Sequence, residues 1–231
     1  MKLCFGCISA RGDVRIEFVE GLVGILRACA QMGIDTTFMQ FTGALVEDAR
    51  DMMATRFSNG TADALVMLDD DIFLDPRVFK RMLAVERDTV GCYYPQRHLA
   101  VEAFADHIRQ GMTTSDAAMR ASPLVGPDPD GADSFAISEV EWIGSGALLI
   151  RRRALETMIK LGKVGKERFR TPQDIAEMWG FFSRLRLDDG VARSEDASFC
   201  LRARQCGIAI YAYKGPGVLH SGSFQFGSHY P

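Results

Sequence analysis

Short apolar runs alternate with segments of helical periodicity along the first hundred residues. "KLCFGCIS" (residues 2–9) is nearly continuous in its apolar character and short enough for a buried strand. "VRIEFVEGLVGILRACAQMG" (14–33) spaces apolar residues three and four apart, opens after Asp13 and stops at Gly33, which predicts a helix. The pattern then predicts a strand over 34–41, a helix over 44–60 closing on Asn59-Gly60, and a strand over 62–69. A helix over 75–86 follows, with Pro76 in its first turn, where a missing N–H costs nothing, and then a strand over 88–95. Strand and helix alternating in this way imply an α/β fold. Its sheet is mixed but mostly parallel, with helices on both faces.

The alternation breaks over residues 96–138, which are rich in glycine and proline and weakly periodic; "SPLVGPDPDGADS" (122–134) reads as a loop. This segment is an insertion of the kind that forms binding loops. Order returns in "SEVEWIGSGALLIRRRALETMIKLG" (138–162) as strand, Gly-Ser-Gly bend, strand and helix. A short helix is predicted over 171–182, another over 194–207 with an acidic start, and a strand-turn-strand over 208–223; the last eight residues carry no strong pattern. The expected organisation is one domain, 1–231, in which residues 1–95 and 139–231 form two halves around the 96–138 insertion.

Composition narrows the partners. The chain has 231 residues, 47% of them apolar, and a net charge of −3. It therefore lacks the basic footprint of a nucleic-acid-binding protein. Basic residues gather at Arg151-Arg152-Arg153 and from Lys160 to Arg170, either as a solvated surface around a helix or as a patch facing an anionic partner. No apolar stretch approaches the roughly 20 residues of a transmembrane helix. The first residues turn polar too soon for a signal peptide, so a soluble cytoplasmic protein is expected. The six cysteines read as buried thiols, because Cys4-Phe-Gly-Cys7 has no second pair or nearby histidine to complete a zinc site.

The chemistry concentrates in "ALVMLDDDIFLDP" (64–76), where an apolar strand ends in Asp69, Asp70 and Asp71. Ligands of open α/β sheets bind beyond the carboxyl ends of the strands. In an extended chain Asp69 and Asp71 share a face and Asp70 points away. Two carboxylates on one face suit a hard divalent cation; a solvated turn capping the next helix is the structural alternative. Glu195 and Asp196 open the helix over 194–207 behind Ser194. Helix-dipole stabilisation and an N-cap account for them without any function; a carboxylate that accepts a proton is the other reading. No Walker A, HExxH or Gly-X-Ser-X-Gly pattern occurs, and Gly144-Ser145-Gly146 lacks the third glycine of a dinucleotide fingerprint.

Four segments in order resemble the GT-A-fold glycosyltransferases (Rossmann-like nucleotide-diphospho-sugar transferases), in particular the family-2-like and Anp1-like bacterial and phage branch. They are "EDARDMMATRFSNGTADALVMLDDDIFLDPRVFKRML", "DTVGCYYPQR", "VEWIGSGALLIRRRALETM" and "SEDASFCLRARQCGIAIYAYKGPGVLHSG". The first resembles the family's helix, strand, Asp-X-Asp and proline-containing helix. The third is similar to its acceptor-side Gly-X-Gly segment, and the last to its Glu-Asp helix, final strand and terminal histidine.

The resemblance implies a metal-dependent transfer of a sugar from a nucleoside-diphosphate sugar, UDP- or GDP-linked, to a hydroxyl acceptor. It makes 1–95 the nucleotide-binding half and 139–231 the acceptor side. Asp69, Asp71 and His220 would hold Mn²⁺ or Mg²⁺, the imidazole favouring Mn²⁺. Asp196 would be the catalytic base and Glu195 an acceptor contact, with the two roles exchangeable. Ser9, Ala10, Arg11, Gln40, Arg50, Asp69 and Asp70 are the nucleotide-binding candidates. Asp51 stands where the family often has Asn. Trp142, Gly144, Ser145 and Gly146 would line the sugar and acceptor, the glycines permitting close approach. A sugar nucleotidyltransferase of related fold and a non-catalytic nucleotide-sugar or glycan-binding module are the alternatives.

Overall fold

The computed structural model describes residues 1–10, 12–127, 135–170, 175–187, 190–222 and 225–227. The first strand, β1 (Lys2–Ser9), is buried along nearly its whole length, and its side chains alternate between two cores. Leu3, Phe5 and Cys7 enter one; Cys4 and Ile8 enter the other. Cys4 and Cys7 thus point to opposite faces of a strand, and all six thiols are free, five of them buried. Helix α1 (Ile16–Gln31) leads to β2 (Asp35–Thr42), and α2 (Val46–Ser58) leads to β3 (Ala64–Asp69). The chain turns at Asp70-Asp71 into the short β4 (Ile72–Leu74), then continues through α3 (Pro76–Ala84) to β5 (Thr89–Cys92). Asp75 caps α3 by accepting the Arg77 N–H, as the Asp-Pro pattern suggests.

The 96–138 segment is more regular than its sequence implies. It contains α4 (Val101–Arg109) and α5 (Thr114–Arg120), packed on each other. Its ends are tied by Gln96 N–H to the Pro123 carbonyl and Val125 N–H to the Tyr94 carbonyl. Strands β6 (Ile137–Val140) and β7 (Ala147–Arg151) follow, then α6 (Arg152–Lys160). The helix expected over 171–182 is not formed where the structure is described. Ile175–Trp179 is instead strand β9, paired antiparallel with β8 (Lys166–Arg170); residues 171–174 lie outside the described residues. Trp179 N–H donates to Thr55 Oγ1 of α2, so a tertiary contact fixes this hairpin where local periodicity favoured a helix. The chain closes through α7 (Glu195–Gln205), β10 (Ile210–Tyr213), β11 (Val218–Ser221) and β12 (Gln225–Gly227).

The main sheet has seven strands in the order β2-β1-β3-β7-β5-β10-β6. Five of them, all but β6 and β7, run in one direction. Helices α1 and α3 cover one face, and α2, α6 and α7 cover the other. This is a Rossmann-like α/β architecture. The two sequence halves interleave in a single sheet, because β7 inserts between β3 and β5. A second, three-stranded sheet, β12-β11-β4, branches from the end of β3. Gly21 of α1 allows this: a Cβ there would lie 3.1 Å from the Leu74 backbone. Close helix packing therefore holds β4, and with it the acidic turn.

The arginine triplet is a set of structural pins. Arg152 donates to the carbonyls of Phe57, Ser58 and Ala62, closing the C-terminus of α2, where a cation is favoured. Arg151 donates to the Leu83 carbonyl, and Arg153 pairs with Asp88. Among the described residues no helix is long and apolar enough to cross a membrane.

Candidate functional site

The strands β1 and β3 end side by side, and the site forms beyond them. Asp69 is the last residue of β3, while Asp70 and Asp71 lie in the turn, so the extended geometry expected for the triplet does not hold. The three side chains nevertheless separate. Asp69 Oδ2 meets Arg50 Nη2 at 3.3 Å. Asp71 Oδ1 lies 3.3 Å from His220 Nε2, and its Oδ2 lies 2.7 Å from Arg97 Nη1. Asp70 sits against Ser9, beneath the loop after β1. Burial raises the carboxyls of Asp69 and Asp70. Burial also opposes ionisation of Asp71, but the hydrogen bond and charge of His220, with Arg97, hold its carboxyl below the ordinary value.

His220 reaches Asp71 because β11 pairs antiparallel with β4, His220 opposite Ile72, while Ser221 N–H donates to the Asp71 carbonyl. The other imidazole nitrogen, Nδ1, lies 2.8 Å from the Pro95 carbonyl. A carbonyl only accepts, so Nδ1 carries the proton. With Nε2 also protonated, the imidazolium donates to Asp71 Oδ1; in the neutral ring, with Nδ1–H kept on Pro95, the Nε2 lone pair is open to a cation instead, an arrangement common behind metal-binding histidines. Tyr94 packs edge-on against the same ring.

Helix α7 delivers the second acidic pair. Ser194 is its N-cap, accepting from Ala197 N–H at 3.3 Å. Asp196 Oδ1 accepts the Ser145 N–H at 3.1 Å. Between the two acidic groups lies Arg50, 3% exposed. It donates to the Ser145 carbonyl at 2.9 Å, and its Nε lies 3.9 Å from both Glu195 Oε1 and Asp196 Oδ1. Burial, and then the neighbouring Asp196, raise the Glu195 carboxyl.

The glycines of Gly144-Ser145-Gly146 are required, but by a protein side chain. A Cβ on Gly144 would collide with the Tyr94 phenol, and one on Gly146 would lie 2.8 Å from Tyr94 Cζ and 3.1 Å from Asp69 Oδ2. The Tyr94 hydroxyl accepts the Gly146 N–H at 3.1 Å. Trp142 is half-buried against the α2-side core.

Asp69, Asp71, Glu195, Asp196, His220, Arg50, Ser145 and Gly146 thus converge from five separate segments. Other nominated residues do not join them. Gln40 is exposed on the edge strand β2, and Ala10 is exposed in the loop after β1. Ser9 shapes that loop, donating to the Asp13 carbonyl and accepting from Gly12 N–H. Arg11 lies outside the described residues. Asp51, the departure from the family pattern, accepts Phe182 N–H at 2.6 Å and the Ser183 hydroxyl at 2.8 Å, pinning the segment after β9 to α2. Tyr94, Arg97 and the Pro95 carbonyl were not singled out from the sequence. The Gly-X-Gly was a signal for Tyr94, since two such glycines imply a bulky neighbour.

Among the described residues nine buried side-chain polar atoms lack a hydrogen-bond partner, and three belong here: Arg50 Nε, Asp69 Oδ1 and Ser145 Oγ. Buried polar groups are normally satisfied, so such a concentration marks a place for water, an ion or a polar ligand. No cluster of three or more His, Cys, Asp or Glu side chains forms a ready cation cage among the described residues.

No protein-family model matches the chain, and no curated protein matches it. Among solved structures, A197 from STIV superposes with a TM-score of 0.52 at 18% identity, covering 96% of this chain and 86% of that one. That likeness shows a fold in common. A glycosyltransferase involved in the glycosylation of the major capsid of PBCV-1 superposes less well. Its TM-score is 0.35 at 10% identity, over 70% of this chain and 64% of that one, too slight to establish a shared fold.

Proposed function

We propose that the chain is a divalent-cation-dependent glycosyltransferase of GT-A type, acting on a nucleoside-diphosphate sugar and a hydroxyl acceptor. One observation carries the reading: two acidic pairs and a histidine, far apart in sequence, meet beyond the strand ends around buried polar atoms with no hydrogen-bond partner. The order of the four sequence segments that resemble the family supports it independently.

The donor atoms suit the cation. Asp71 offers a carboxylate held ionised, and His220 offers Nε2 with its tautomer set by Pro95. Asp69 Oδ1 is a buried acceptor still free of a hydrogen bond. An oxygen-rich set with one imidazole fits Mn²⁺ better than Mg²⁺. When bound, such a cation offsets the charge that grows on a departing nucleoside diphosphate. The protein's own part is proton transfer and orientation. Asp196 is anchored on Ser145 N–H, while Glu195, more basic through burial, takes the acceptor hydroxyl proton as that oxygen attacks the anomeric carbon.

A second reading has its own observation. Both carboxylates of the Asp-X-Asp already face guanidinium groups, Arg50 on Asp69 and Arg97 on Asp71. That arrangement favours a module that binds a sugar nucleotide without turning it over. Arg97 is 56% exposed at its side chain, so an incoming cation can displace it at little cost.

A thermal-shift panel of nucleoside diphosphates and nucleotide sugars, with and without Mn²⁺, tests the proposal. A ligand at a hundred times its Kd adds about 2.7 kcal/mol, or roughly 5–10 °C for a chain of this size. The expected result is a shift that needs both nucleotide and Mn²⁺ and disappears in Asp71→Asn with the fold intact. A panel without any Mn²⁺-dependent shift, or an undiminished one in Asp71→Asn, overturns the metal-site assignment. Slow donor hydrolysis by the pure protein separates the transferase from the binding module.

A further inference from the structure

The edge strand β2 lies on the opposite flank of the sheet from β6 and has no strand on its outer side among the described residues. It is eight residues long and pairs with β1 without a bulge from Asp35 to Thr42. In a parallel pair, alternate residues turn their N–H and C=O outward, so the free edge presents a row of unmade backbone hydrogen bonds. Proteins commonly protect such edges with proline, lysine, a bulge, a short strand or a covering loop. "DTTFMQFT" has no proline, no basic residue and no bulge, and its one charge, Asp35, is at its start.

The flank beside the edge is apolar. Phe38 is 49% exposed. Its register partner Phe5 points into the core under α1, so Phe38 lies on the α1 face. Gly24 of α1 faces Pro76 of α3. Residues two positions away on a helix lie on the opposite side, so Leu22 and Leu26 turn toward the β2 flank, where both are only partly buried. Val19 and Val23 remain exposed on the same helix.

We infer that this edge joins a second copy of the chain, β2 against β2 in antiparallel register, making one continuous sheet across a two-fold axis. The occupant follows from self-complementarity. An axis normal to the sheet and centred on Phe38 sets Phe38 against its own counterpart, with Thr37 opposite Met39 and Thr36 opposite Gln40. Asp35 falls opposite Phe41, so no like charges meet. The apolar flank of α1 is carried to both sides of the axis, where a dimer shields it.

Analytical ultracentrifugation of the full chain across a dilution series tests the inference. The expected species is twice the monomer mass of 25.5 kDa, and Thr36→Lys/Phe38→Lys is expected to remain monomeric with unchanged circular dichroism, melting where wild type melts once diluted to monomer. A second measurement reads the register. Opposed residues of an antiparallel pair lie about 4.5–5.5 Å apart at Cα, within reach of a disulfide. Phe38→Cys should therefore cross-link under mild oxidation, while Asp35→Cys, far from the axis, should not. A wild-type chain that stays monomeric throughout overturns the inference. So does a well-folded Thr36→Lys/Phe38→Lys variant that still dimerises, or cross-linking of Asp35→Cys as fast as Phe38→Cys.

Discussion

Replacing Arg50 with methionine, which matches its aliphatic stem and carries no charge, removes a guanidinium shared by three acidic side chains. Asp69 is 3.3 Å from it; Glu195 and Asp196 are each 3.9 Å away. At an effective dielectric of about 20, each attraction at such distances is on the order of 4 kcal/mol before desolvation and mutual repulsion are subtracted. Removing one partner of a buried ionic cluster costs about 3–5 kcal/mol in measured cases. We take that as the expected loss at pH 8, roughly 10 °C in melting temperature. Burial already raises Asp69 and Glu195 against the pull of Arg50. Without Arg50 their folded-state values rise further. Carboxyls raised above their unfolded values bind more protons in the folded state, so the variant loses stability as pH rises from about 4. The gap between wild type and Arg50→Met should therefore be wide at pH 8 and narrow toward pH 4–5. Urea denaturation at several pH values measures it. A gap independent of pH would refute the electrostatic account and leave Arg50 as a packing and hydrogen-bonding residue. Arg50→Lys should fall between the two, because it keeps the charge and loses the planar fork that serves Ser145 and Asp69 together.

Two further outcomes can be measured on the same protein. Gly144→Ala drives a methyl group into the Tyr94 phenol and Val125; overpacking of this kind should cost about 1–3 kcal/mol in urea unfolding, and a neutral result would show that Tyr94 is free to move. Asp51→Asn keeps an acceptor for Phe182 N–H and a partner for Ser183, but removes a carboxyl that burial pushes up to about 7. That carboxyl should cost wild type at most about 4 kcal/mol as pH rises from about 4 to 7, in addition to the losses from Asp69, Asp70 and Glu195. The variant should lack that part of the slope, and equal slopes would locate it elsewhere.

The alternating pattern of the first 95 residues was enough to place every helix and four of the five strands of that half to within a few residues, because each buries one face or both; the short β4, which is held by pairing with the distant β11, was not read. Glu195-Asp196 was legible as a candidate pair for a different reason: acidic residues at a helix start are visible without knowing what they touch, whereas His220 was nominated through the family resemblance. What the sequence could not reveal was set by long-range pairing. Ile175–Trp179 lies in a stretch whose periodicity favours a helix, and its strand exists because Lys166–Arg170 and Thr55 complete its hydrogen bonds. Gly144 and Gly146 looked like room for a ligand and are room for Tyr94. The acidic triplet shows how the two kinds of information combine. Alternation predicted that Asp70 would part from its neighbours, and it does, although the chain turns there instead of extending. The turn is fixed from outside, by Gly21 of α1 against Leu74 and by Ser221 N–H on the Asp71 carbonyl. Those contacts send Asp69 to Arg50 and Asp71 to His220, so the two carboxylates of one motif face different partners before any ligand arrives. A cation that binds here must therefore compete with Arg97 for Asp71 and draw on Asp69 through the oxygen that Arg50 leaves free. For that reason the Asp71 carboxylate, and not the Asp-X-Asp pattern as such, is where metal dependence should first be lost.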